Sequence, residues 1–134
     1  MRKNKLTIHK GIYVKKSNIH GWGVFTNLEI NEQEIVEECV IPYQKIPHLS
    51  PLLRNYRFIF PNEKSKYYFI ALGFGSIYNH SEDKANIEWE VNEKERIITF
   101  KAIKKININE ELLFNYNYKT ITNQIRTLLD NIIK

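Results

Sequence analysis

Short β-branched or aromatic runs separated by polar turn residues recur over much of this chain, a hydrophobic pattern that predicts a β-rich fold. Ile12-Tyr13-Val14, Val24-Phe25 and residues 34–41 are β-branched or aromatic stretches, with turn formers such as Gly21 and Gly23 between them. Phe58-Ile59-Phe60 and residues 67–71 flank Pro61-Asn62-Glu63-Lys64-Ser65 and read as a hairpin with a polar turn. Residues 87–91 and 96–102 flank Asn92-Glu93-Lys94-Glu95 in the same way. Pro42, Pro47 and Pro51 exclude a long helix in the middle, where at most a short one fits at 52–56. At the C-terminus the pattern changes. Ile121, Ile125, Leu128, Leu129 and Ile132 fall on one helical face, so the tail is predicted to be an amphipathic helix, capped by Thr120 or Thr122. That helix either closes the domain's own core or offers its apolar face to a partner. Residues 1–10 read as an arm or an edge strand, and no internal repeat or low-complexity linker stands out.

Composition narrows the class. A chain of 134 residues, 43% of them hydrophobic, suits one compact domain with a single core. Twenty Lys and Arg against 15 Asp and Glu leave a net charge of +5, which fits a solvated basic surface better than a dedicated nucleic-acid face. The single cysteine, Cys39, excludes an internal disulfide framework and a cysteine-cluster zinc site, so no metal and a reducing compartment are expected. Arg2, Lys3 and Lys5 are followed by no apolar run, and nothing approaches the ~18 to 20 apolar residues of a membrane span. A soluble, cytoplasmic protein is the expectation.

Several polar residues sit where a ligand could use them. Gly21-Trp22-Gly23 can be a backbone cradle or an ordinary tight turn. Gly73-Phe74-Gly75 lacks the third glycine and the βαβ setting of a dinucleotide fingerprint. Asn79-His80 can hold the polar groups of a small zwitterion or a purine edge, or can be a satisfied structural pair.

Taken in order, four segments resemble the SET-domain protein-lysine methyltransferases. They are Ile19-His20-Gly21-Trp22-Gly23-Val24-Phe25, Ile35-Val36-Glu37-Glu38-Cys39, Gly75-Ser76-Ile77-Tyr78-Asn79-His80-Ser81 and Asn109-Glu110-Glu111-Leu112-Leu113-Phe114-Asn115-Tyr116. The likeness covers residues 11–118 and is greatest to the small stand-alone SET proteins of bacteria and viruses. It implies a mainly β fold of the β-clip type, several small curved sheets with a C-terminal pseudoknot, between an arm at 1–10 and a helix at 119–134. It implies S-adenosylmethionine as cofactor, S-adenosylhomocysteine as product, and a lysine-bearing protein, histone-like or otherwise basic, as substrate. Gly21, Trp22 and Gly23 would make backbone contacts to the cofactor, Asn79 and His80 would fix it, and Tyr116 would be the catalytic tyrosine. Phe114 would help set how many methyl groups fit, Trp89 would either line the lysine channel or belong to the core, and Glu111 would hydrogen-bond structurally.

The chain departs from the family pattern in three places. Cys39 stands where many members carry a channel tyrosine. The loop 81–86 is longer than the family spacing and lacks its proline. Post-SET cysteines are absent, which leaves the C-terminal helix as the available lid, in its own subunit or in a homodimer. Neither nucleic acid nor membrane is required, and a host nucleus is a further destination if the protein is an effector or viral. Two other readings stay open: a catalytically silent SET-type module that binds peptide or cofactor, and a basic nucleic-acid-binding domain.

Overall fold

A computed structural model describes residues 4–42, 57–59 and 68–115. Among these residues the regular structure is all strand: β1 (Ile12–Lys16), β2 (Trp22–Thr26), β3 (Ile35–Val40), β4 (Arg57–Ile59), β5 (Tyr68–Ile70), β6 (Asn79–His80), β7 (Ile87–Asn92), β8 (Ile97–Ala102) and β9 (Glu111–Phe114). They form three small sheets, ordered β1-β2-β9-β6, β3-β8-β7 and β4-β5. The mainly β reading therefore holds. The strands of both predicted hairpins pair antiparallel, β4 with β5 and β7 with β8, and the connection 60–67 lies outside the described residues. The short helix at 52–56 and the C-terminal helix at 119–134 lie outside the described residues.

Alternation along the strands builds the core. In β8, Ile98, Phe100 and Ala102 point inward and are fully buried, while the residues between them are half-exposed. Phe100 joins the sheets: its ring lies 4.6 Å from Tyr78 and 6.2 Å from Phe114 of β9. Burial of a side chain of that size contributes about 2 to 3 kcal/mol. β3 breaks the alternation. A register shift against β8 between Ile35 and Glu37 marks a bulge, and Val36, Glu37, Glu38 and Cys39 are all buried in succession. Two acids thus enter the interior side by side. Ahead of β3, the arm lies along its edge as a strand-like segment, with Ile8 bridged to Glu37; Glu38 N–H donates to Thr7 O and Thr7 N–H donates to Glu38 Oε1.

The structure also reveals a local repeat that the sequence did not advertise. Ile30-Asn31-Glu32-Gln33-Glu34 and Ile106-Asn107-Ile108-Asn109-Glu110 form equivalent turns, with Gln33 and Asn109 both at a left-handed φ of 72°. The two turns bond to each other reciprocally. Ile30 and Ile106 exchange N–H···O bonds at 3.0 and 2.9 Å, and Gln33 N–H donates to Ala102 O as Asn109 N–H donates to Thr26 O. Ala102 N–H donates to Glu34 O and Thr26 N–H to Glu110 O. The only side-chain identities the two turns share are Ile, Asn and Glu, so backbone geometry carries the symmetry. One turn delivers β3 and the other β9.

β9 is inserted between β2, to which it is antiparallel, and β6, to which it is parallel with Asn79 opposite Leu113 and His80 opposite Phe114. The chain then leaves β6 through loop 81–86 and returns Asn86 to the same strand. Asn86 Nδ2 donates to Glu111 O at 2.9 Å, its Oδ1 accepts Leu113 N–H at 2.8 Å, and its own N–H donates to Leu113 O. This is the threading expected of the C-terminal motif. The long loop closes locally, because Ser81 Oγ accepts Lys84 N–H three residues on and donates to Asp83 Oδ1. Replacing Asn86 with Ala strips a buried N–H and a carbonyl of their partners, and is expected to cost about 2 to 4 kcal/mol in urea unfolding. Asn86→Asp keeps the acceptor for Leu113 N–H but sets a buried carboxylate oxygen against Glu111 O, and is expected to cost at least as much at neutral pH; equal stability of all three proteins would show that the clamp contributes nothing.

Candidate active site

Three segments far apart in sequence meet at Asn79. Its side-chain Nδ2 donates to His20 O at 2.9 Å, to Trp22 O at 3.2 Å and to Glu111 Oε2 at 2.8 Å. The other oxygen of Glu111 accepts Ser17 Oγ at 2.7 Å. Ser17 in turn accepts the amide of Ile19, and its own N–H donates to Gly21 O at 2.7 Å, closing the turn between β1 and β2. One carboxylate on β9 therefore ties the 17–23 turn to β6.

The two glycines of that turn differ in kind. At Gly23 a Cβ would run into the Glu111 carboxylate, with Cδ at 2.9 Å, and would crowd Asn79 Nδ2 at 3.1 Å; protein packing demands glycine there. Gly21 has φ +48°, and no atom lies within 4 Å of where a Cβ would stand. Its backbone faces open space and can approach a ligand closely. Trp22 between them is 58% exposed, with the Lys16 ammonium 5.8 Å from its ring.

A second carboxylate holds the segment before Asn79. Glu37, 2% exposed on β3, accepts the Phe74 N–H at 2.9 Å on Oε2 and the Tyr78 hydroxyl at 2.7 Å on Oε1. Gly73, at φ +92°, leaves room for it: a Cβ there would sit 2.6 Å from Glu37 Oε2. Burial, followed by the charge of Glu37 and a hydrogen bond to it, pushes the Cys39 thiol up beyond its ordinary range. Burial and the same carboxylate hold the Tyr78 hydroxyl well above its ordinary value. Both groups are thus fixed as protonated donors at neutral pH.

Gly23, Trp22, Asn79 and the strand that carries Phe114 are brought together. His80 is half-buried at the end of β6. Phe114, Trp89 and Cys39 are 5%, 6% and 1% exposed, and all three belong to the hydrophobic core cluster. Tyr116 lies outside the described residues. Sequence reasoning passed over Ser17, gave Glu37 no role within its matched segment, and set Asn86 aside because the loop before it is longer than the family spacing. The signal for Glu37 was available in a charged pair, Glu37-Glu38, inside an otherwise apolar run. Ser17 gave none, because short polar residues in loops are commonplace.

The sequence profile of the SET domain family matches residues 21–117. A histone-lysine N-methyltransferase of Schizosaccharomyces pombe, specific for H3 lysine-37, is 25% identical over 114 residues, spanning 81% of this chain and 75% of that protein. The structure of a candidate histone methyltransferase of Plasmodium falciparum superposes with a TM-score of 0.62 at 30% identity, covering 83% of this chain and 96% of the other. A chain from a ctPRC2 complex with H3 shares the fold at a TM-score of 0.61 and 24% identity, over 81% of this chain and 14% of its own length.

The cluster around Glu37 makes stability sensitive to alkali. Unfolded, Cys39 and Tyr78 lose their protons near their ordinary values of 9.0 and 10.0; folded, they keep them to higher pH. Their contribution is intact below pH 9 and falls as pH rises, by up to about 1.4 kcal/mol per pH unit for each group. The urea midpoint is expected to drop between pH 8.5 and 10.5, and to drop less in Cys39→Ser and Tyr78→Phe. Identical slopes in all three proteins would contradict it.

Proposed function

This chain belongs to the SET-domain family, and from that premise we propose that it transfers methyl groups from S-adenosylmethionine to a lysine side chain of a histone or histone-like basic protein. The observation that carries the reading is the junction at Asn79, where the 17–23 turn, β6 and β9 are locked together by Glu111. The turn offers an open left-handed backbone at Gly21, and half-buried His80 follows Asn79 at the end of β6. These residues suit a ligand that carries both charged groups and a purine edge. Gly21, Trp22, Asn79 and His80 would hold S-adenosylmethionine. When bound, the cofactor supplies an electrophilic sulfonium methyl for in-line transfer and leaves as S-adenosylhomocysteine.

The chain's own task is positioning and desolvation. A free lysine holds its proton to a pKa of ~10.4, and the amine must be neutral to attack. Apolar surroundings disfavour the ammonium form, so the proton departs to solvent as the side chain enters its channel. Phe114, Trp89 and Cys39 are nearly fully buried, and in this reading they back the channel wall and keep water from the amine. The Tyr116 hydroxyl, two residues beyond Phe114, would orient the amine toward the methyl. Holding the reacting groups in line supplies much of the barrier reduction by itself. Neither Glu37 nor Glu111 acts as a base, since both oxygens of each already accept hydrogen bonds from the protein.

Phe114 bears no hydroxyl to retain a water or bond the amine, which leaves room for an amine that is already methylated. The expected products therefore extend to di- and trimethyl-lysine. The test is methyl-labelled cofactor with histones and a panel of basic peptides, read by mass spectrometry. Tyr116→Phe is expected to lower turnover about 100-fold with S-adenosylhomocysteine binding retained, whereas Asn79→Ala is expected to lose binding as well. Label absent from lysine in the wild-type reaction would overturn the assignment, and a product that stalls at monomethyl-lysine under excess cofactor would overturn the role of Phe114.

A further inference from the structure

We propose that Glu37 is a positioning residue for the cofactor side of the site, acting from a neighbouring sheet through the segment 73–78. The inference rests on the reading of Asn79 and His80 as cofactor-binding residues. Glu37 does not itself face that side. It stands on β3, in the sheet that contains β7 and β8, whereas Asn79 and His80 form β6 in the other sheet.

The geometry gives Glu37 control of both ends of one bend. Oε2 accepts the amide of Phe74 at the start and Oε1 accepts the hydroxyl of Tyr78 at the finish, next to Asn79 in the chain. Between them Ile77 N–H donates to Phe74 O at 2.8 Å, and Ser76 Oγ donates to Ala71 O while accepting Ala71 N–H. A bend closed internally and pinned at both ends has little freedom to shift Asn79 along β9. Two glycines make the grip possible. Gly73 takes a left-handed turn that clears the carboxylate, and at Gly75 a Cβ would strike Ala71, Phe100 and Cys39. The bulge in β3 turns Glu37 inward beside Glu38, a placement that a regular strand would not give to two successive residues.

A buried acid in a core is costly unless every donor it meets is well placed. Glu37 is met by Phe74 N–H and the Tyr78 hydroxyl, one on each oxygen. A glutamine at this position can keep the Phe74 amide on its single oxygen only if the Tyr78 hydroxyl reverses to accept from Nε2, so two charge-assisted bonds become two weaker neutral ones. The bend would loosen while the hydrophobic packing around it kept its shape.

The experiment compares wild type, Glu37→Gln and Tyr78→Phe. S-adenosylhomocysteine affinity is measured by calorimetry, turnover by steady-state kinetics, and amide exchange of Phe74 and Ile77 by NMR, with Ile98 in β8 as the core reference. Glu37→Gln is expected to raise the KM for S-adenosylmethionine at least tenfold and to weaken S-adenosylhomocysteine binding equally. The kcat and the KM for peptide are expected to stay within about threefold. Phe74 exchange is expected to quicken at least tenfold with Ile98 unchanged. Tyr78→Phe, which deletes one hydroxyl from an otherwise identical ring, is expected to move the same quantities less. Cofactor KM and Phe74 exchange at wild-type levels in both variants would overturn the proposal, as would uniform loss of kcat, both KM values and Ile98 protection. If wild type binds no S-adenosylhomocysteine, the methyltransferase reading fails on its own; Phe74 exchange then still decides whether Glu37 grips the bend.

Discussion

The site depends on how the strand Glu111–Phe114 is seated. It pairs with β2 on one edge and β6 on the other, and Asn86 clamps it through backbone and side chain together. These partners lie far from it in sequence, so nothing local holds the strand in place. Its seating closes long loops and is therefore favoured only once the rest of the fold has formed. Leu112, Leu113 and Phe114 are buried at 5% exposure or less, so a strand that fails to insert leaves apolar surface and backbone donors without partners at once. Site and core form as one unit.

Two carboxylates divide the work around that strand. Glu111 holds Asn79 and the turn at Ser17, and Glu37 holds Phe74 and Tyr78. The paired turns at 30–34 and 106–110 launch the strands on which these acids ride. The reciprocal bonds between the turns fix the starting points of β3 and β9 relative to each other. The segment 73–79 is gripped from both sides as a consequence. A glycine is required wherever a carboxylate passes close to backbone, at Gly23 for Glu111 and at Gly73 for Glu37. The glycines thus differ in kind: Gly21 leaves open space beside its backbone, and Gly23 and Gly73 make space for the protein's own acids.

Much of this was legible in the sequence, and the reason differs by element. β7, β8 and their Asn92 turn follow from alternation and local turn chemistry, since Asn92 Oδ1 accepts Glu95 N–H within the turn itself. Asn79 was legible as a polar residue after an apolar run, but its partners at His20, Trp22 and Glu111 are set by tertiary contact alone. The bulge in β3 left no mark on composition, and alternation would have sent one acid of the Glu37-Glu38 pair to solvent. The repeat around Ile30 and Ile106 was missed because a match of Ile, Asn and Glu within five residues is too short to stand out, and its two copies declare themselves through backbone hydrogen bonds. Trp89 illustrates the converse. Its type and strand position left core and channel open, and the structure places it among the core residues.

The use of carboxylates as scaffolding is consistent with the chemistry proposed. A reaction that needed a general base would keep a carboxylate or imidazole within reach of the substrate and partly unbonded. Here both scaffold carboxylates, buried Glu37 and half-buried Glu111, are committed to N–H and O–H donors of the protein, and their energetic return is the placement of a backbone. Methyl transfer to an amine that has already lost its proton asks for alignment and a dry path above all. A small domain meets that demand economically by locking three sequence-distant segments at one asparagine. The cost is a buried acid at Glu37, and it is sustained only while its hydrogen-bond partners stay in place.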